Sequence, residues 1–193
     1  TLLFPEKKAM RTACLSLFAF IAALLFAALP ARAMMDHGNA APSAYSDRAF
    51  LSAMLAHHEG AVDMAELFFK SPKKYQDPKV ASWADAVIKV QKAEIAEMKQ
   101  LLQPLGGLEK SAYDPMKEAM AHMLAEGADM NANMRFVELM LPHHAMAVEM
   151  AVPALVHSDN PKVLDLAEAI IIEQAKEMRQ FKAWLMAADH TRH

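Results

Sequence analysis

Residues 50–65, FLSAMLAHHEGAVDMA, and residues 136–151, FVELMLPHHAMAVEMA, are one segment written twice at an offset of 86. Nine of the sixteen positions are identical, among them an adjacent histidine pair and two methionines. A second match follows at an offset of 83, between PKVASWADAVIKVQKAE (78–94) and PKVLDLAEAIIIEQAKE (161–177). Shared helical composition alone does not reproduce a His-His pair and a buried-looking glutamine in register, so the chain contains an internal duplication.

Each copy reads as two helices. Phe50, Met54, His57/His58, Ala61 and Met64/Ala65 recur at three-and-four spacing, as do Val80, Ala84, Val87/Ile88, Gln91, Ile95, Met98 and Leu102. Ser46 is placed to cap the first helix, and Asp77-Pro78 and Asn160-Pro161 set a capping side chain before a first-turn proline. Pro104 and Gly106-Gly107 stop the second helix. No segment alternates as a strand does. Two helical hairpins that each bury one face require one another, which predicts an all-α four-helix bundle built from two repeated hairpins. The duplicated domain spans 46–188, with repeat one at 46–103, repeat two at 132–188 and an insertion at 104–131. In and after the insertion, Met116, Met120, Met123, Met130 and Met134 form one stripe that reads as packing. This stretch either lengthens the third helix or forms a separate crossover helix, opened by Asp114-Pro115. Pro142 removes a backbone donor beside the second histidine pair and predicts a kink there.

The N-terminus reads as an address label. Lys7, Lys8 and Arg11 precede an apolar run from Leu15 to Leu29 and a small-residue site at Ala31-Arg32-Ala33, the layout of a secretory signal peptide over 1–33 with a start at Met10. Residues 34–45 form a flexible segment, 189–193 a tail, and nothing after residue 33 reads as long and apolar enough to cross a membrane. Cleavage leaves 16 basic and 22 acidic residues, about −6 in all, a poor match for nucleic acid or anionic lipid. Cys14 leaves with the signal, so no disulfide supports the exported domain. Fifteen methionines remain, an excess that packing alone does not call for.

On a helix, residues three and four apart are neighbours. Met54 therefore flanks His57 and His58, and Met140 flanks His143 and His144; Met64 and Met150 lie roughly 10 Å further along their helices. Adjacent histidines diverge by about 100°, so only one of each pair points fully at the core and the other flanks it or faces a neighbouring helix. Thioethers select soft ions such as Cu(I), whereas imidazole serves many metals. A Met/His set without cysteine points to Cu(I), with Ag(I) as its analogue, and away from zinc or calcium. Met54, His57, His58, Met64, Met140, His143, His144 and Met150 are the candidate ligands.

Enzyme motifs are missing: no Glu-x-x-His for a di-iron centre, no H-E-x-x-H and no Gly-x-Ser-x-Gly. Glu94 and Glu177, matched between the copies, read as capping or surface-pairing groups. Met34-Met35-Asp36-His37 and the tail histidines His190 and His193 read as chain ends.

With these motifs the chain resembles the CopM-like family of exported bacterial proteins, a domain long without assigned function. The resemblance runs over about 46–188 and rests on the doubled HH motif and on Gln91-x-x-Glu94 and Gln174-x-x-Glu177. It implies a ferritin-like bundle in the periplasm, with copper binding and resistance among its members. By position it carries the ligand role to the four histidines and to Met54, Met64, Met140 and Met150. The expectation is a periplasmic or secreted protein that sequesters or transfers Cu(I), with no catalytic residues and no nucleic-acid or membrane partner. A structural or interaction bundle without metal is the alternative, and a His-dependent enzyme a more distant one.

Overall fold

A computed structural model describes residues 45–190; the stretch 1–33 that reads as a signal peptide, the 34–44 segment, the Met34–His37 cluster and His193 lie outside them. Within the described residues the chain is helical: α1 (Asp47–Phe69), a 3-10 turn (Lys73–Tyr75), α2 (Pro78–Leu102), α3 (Lys110–Ala125), α4 (Ala132–His157) and α5 (Pro161–His190). The start signals act as the sequence predicts. Ser46 accepts from the Ala49 amide, Asp77 from those of Lys79 and Val80, and Asn160 from that of Lys162. Each satisfies amides that the first turn of a helix cannot pair internally. After α2, Gly106 and Gly107 take φ of 92° and 79°, a left-handed geometry that glycine adopts freely. Arg48 then clamps the turn by donating to the carbonyls of Gly106, Gly107 and Leu108.

Helices α1 and α2 form one hairpin, α4 and α5 the other, and the hairpins pack through α1 against α4. That packing is antiparallel. Phe68 meets Phe136 at one end, ring centroids 5.7 Å apart, and Tyr45 meets His157 at the other, 5.8 Å apart. Helix α3 is a separate crossover helix laid on the outer face of α1. It begins at Lys110, a turn before Asp114-Pro115, because Ser52 Oγ receives the Glu109 amide and fixes the chain there. Gly60 makes the close approach possible: a Cβ there would lie 2.7 Å from Met120 Cγ. Position 146, the equivalent of 60 in the second copy, is methionine, and α4 carries no such covering helix. Of the methionine stripe only Met120 is fully buried; Met130 is exposed and the others lie between.

Helix α4 runs on through Pro142 and Pro153 as one element. By length and composition, with mean hydropathy 1.3, it is apolar enough to cross a membrane, which corrects the expectation from sequence. One face, Phe136 through Ala154, packs against α1 and α5, while Val152, Leu155 and Val156 are exposed.

The core falls into two apolar clusters. One joins Leu51 and Met54 of α1 to Met98, Ala151 and Ile170; the other joins Met64 and Phe68 of α1 to Val87, Phe136, Met140 and Phe181. Between them, midway along all four bundle helices, lies a buried polar waist of His57, His58, Gln91, His143, His144 and Gln174.

Candidate metal centre

Each histidine pair enters the waist in the divergent arrangement that helical geometry dictates. His57 and His143 point inward and stack across the interface between hairpins, ring centroids 3.7 Å apart and planes 32° apart. Each donates from Nε2 to the other's backbone carbonyl, both at 3.0 Å. His58 and His144 point sideways onto the partner helices of their own hairpins. There His58 Nε2 donates to Glu94 Oε2 at 2.9 Å, and His144 Nε2 to Glu177 Oε2 at 2.6 Å. Spacing within one helix carried no sign of this pairing, since the glutamates lie 36 and 33 residues away. They are histidine partners, not helix caps or surface pairs. The available signal was their recurrence in register, three residues after Gln91 and Gln174.

All four imidazoles are inaccessible to solvent. Burial, with His58 adding to it, pushes His57 down to about 3. His143 is held well below the ordinary histidine range by burial and by His57. Both are therefore neutral near pH 7 and carry one ring proton each. Carbonyl and ionised carboxylate oxygens only accept, so a neutral imidazole facing either must carry that proton on Nε2. At His57 and His143 the Nδ1 lone pairs are therefore left free. Among the described residues none of the four Nδ1 atoms has a hydrogen-bond partner, and Gln91 Oε1 and both amide atoms of Gln174 share that state. Buried polar atoms are seldom left unpaired. The unpartnered Nδ1 atoms are potential metal donors, and a carboxylate or carbonyl on the far nitrogen is the usual way a ligating histidine is oriented.

Histidine alone does not complete a site. Among the described residues no three His, Cys, Asp or Glu side chains converge closely enough to hold an ion. Thioethers are the remaining donors. Met54 and Met140, one turn from their histidine pairs, are fully buried. Antiparallel packing sends them to opposite sides of the waist: Met54 shares its cluster with half-buried Met150, and Met140 shares the other with Met64. The eight residues singled out from the sequence thus form four imidazoles in one layer and a methionine pair on either side. This favours a soft ion with few ligands over zinc or calcium.

A family model described as a domain of unknown function, DUF305, matches residues 47–135 and again 133–193. Among solved structures, the chain is similar to CopM in a silver-bound form, at 30% identity and a TM-score of 0.61 over 74% of this chain and 97% of that one. CopM in its Cu(I)-bound form matches at 28% identity and a TM-score of 0.60, with the same coverage. A DUF305 fragment from Deinococcus radiodurans matches at 26% identity and a TM-score of 0.58, over 76% of this chain and 99% of that one. No curated protein sequence matches the chain.

Proposed function

The chain belongs to the DUF305 family, and from that premise we propose that it binds a soft metal ion, Cu(I) foremost, at the histidine waist. The observation that carries this reading is the set of four buried Nδ1 atoms without partners, with Nε2 of each ring already hydrogen-bonded to an oxygen. The silver-bound and Cu(I)-bound forms of CopM support it. A purely structural bundle gives no reason to bury four imidazoles with an unpartnered Nδ1 each, at a desolvation cost for every one.

The function that follows is sequestration or transfer of Cu(I), with no chemistry catalysed. The signal-like N-terminus supports action in the periplasm or outside the cell. The test is a competition titration with Cu(I), Ag(I) and Zn(II). Cu(I) and Ag(I) should bind far more tightly than zinc. Equal or tighter zinc binding would overturn the soft-metal reading, and no saturable binding of any ion would leave the structural bundle.

A further inference from the structure

A second feature lies outside the waist. Where the end of α1 meets the α3–α4 link and the start of α4, a cavity of about 330 Å³ opens to solvent. Its walls are apolar, formed by Met64, Phe68, Met130 and Phe136 among others, yet they contain two cations, Lys70 and Arg135. No acidic residue lines it. That is unexpected in a domain with 22 acidic residues against 16 basic ones beyond residue 33.

Among the described residues neither Lys70 nor Arg135 makes an ion pair, although Asp63 lies within electrostatic reach of Lys70. Arg135 spends Nη2 on the Leu124 carbonyl, at 2.6 Å, which holds the guanidinium against the link. Its Nε is buried and has no acceptor. Arg135 lines the cavity with no acidic residue beside it, and a carboxylate is the usual planar partner of a guanidinium.

The geometry points to this cavity as a binding site for a small apolar monocarboxylate, its carboxylate on Arg135 and Lys70 and its hydrocarbon part against Met64, Phe68 and Phe136. The volume lies at the lower end of the range for ligand pockets, about 300–1,000 Å³, which suits a short chain or a single ring. Met64 and Met130 could offer thioethers to a metal ion here, but two unpaired cations in the same wall oppose one. The carboxylate satisfies both the charge and the apolar lining. Met130, 40% exposed, stands at the mouth, where the left-handed Gly127 turn folds the link back on it.

Octanoate is the probe, 1-octanol its uncharged counterpart, and the protein is the full chain. Calorimetry should give saturable octanoate binding at least tenfold tighter than octanol, with methyl signals of Met64 and Met130 shifting in NMR. Arg135→Gln should weaken octanoate about tenfold and leave octanol unchanged. If that variant fails to fold, Lys70→Gln, at an exposed position, should weaken octanoate severalfold by itself. Equal binding of the two probes would reduce the cavity to an apolar crevice. Equal competition by inorganic phosphate would reduce it to an unspecific anion site. Either result, the absence of saturation, or methyl shifts confined to Ag(I) addition would overturn the assignment.

Discussion

His57 and His143 each donate a ring N–H to the other's backbone carbonyl, so each residue is donor and acceptor to the same partner. The two copies of the motif therefore meet at one centre. They do not sit as two separate stations along the bundle.

A shared centre predicts that the copies fail together. His57→Leu and His143→Leu should each remove most Ag(I) or Cu(I) binding, and by similar factors. Each also removes one buried hydrogen bond to a helical carbonyl, worth about 0.5–1.5 kcal/mol in urea unfolding. A variant that keeps half the ions at unchanged affinity would show two independent sites.

Glu94 and Glu177 should act through the histidines they hold. Glu94→Ala frees the His58 ring to turn and to move its proton to Nδ1, which removes a lone pair from the waist. Loss of such an orienting group lowers metal affinity about 10–100-fold. A competition titration on Glu94→Ala and Glu177→Ala, with helicity followed by circular dichroism, measures it. Unchanged affinity would show that His58 and His144 take no part in binding.

Acid should destabilise the apo protein through the stacked pair. His57 titrates near 6.5 when unfolded but only near 3 in the fold, and His143 is also lowered. Between those values the unfolded chain binds protons that the folded chain does not, so stability rises with pH. It is fully present above about pH 6.5 and is lost progressively as pH falls toward 3. The slope is at most about 1.4 kcal/mol per pH unit for each imidazole. Urea midpoints between pH 7 and pH 4 should show this decline, and replacing both histidines with leucine should flatten it.

Gly60→Ala should loosen the crossover helix. The new methyl group meets Met120 at 2.7 Å, and overpacking of this kind costs about 1–3 kcal/mol. Met120→Ala in the same chain should recover part of the loss, which denaturant melts would detect. An additive double variant would show that the two residues do not contact.

Much of this arrangement was legible in the sequence because it is local. Duplication, helix periodicity and the Ser46, Asp77 and Asn160 caps depend on residues within a few positions of one another, and the fold follows from them. The divergence of adjacent histidines was likewise fixed by the helix. Relations across the bundle were not legible. The glutamate partners of His58 and His144 sit on other helices, and only their recurrence in register marked them. Which side of the waist receives each methionine depends on the antiparallel setting of α1 and α4, which intrahelical spacing leaves open. Gly60 opposite Met146 in the aligned copies did carry the position of α3, as a missing side chain where the other repeat has a large one.

The exchange between His57 and His143 has the form of an isologous contact, in which one surface recognises itself. Two identical chains would normally build it by dimerising, at the mercy of their concentration. Here one chain carries both halves, and a tether of this kind supplies an effective concentration on the order of millimolar. Assembly of the waist is therefore a first-order event, independent of dilution. Freed from having to match in sequence, the halves have room to differ: one has taken on a covering helix over its glycine, while the other keeps a bare outer face.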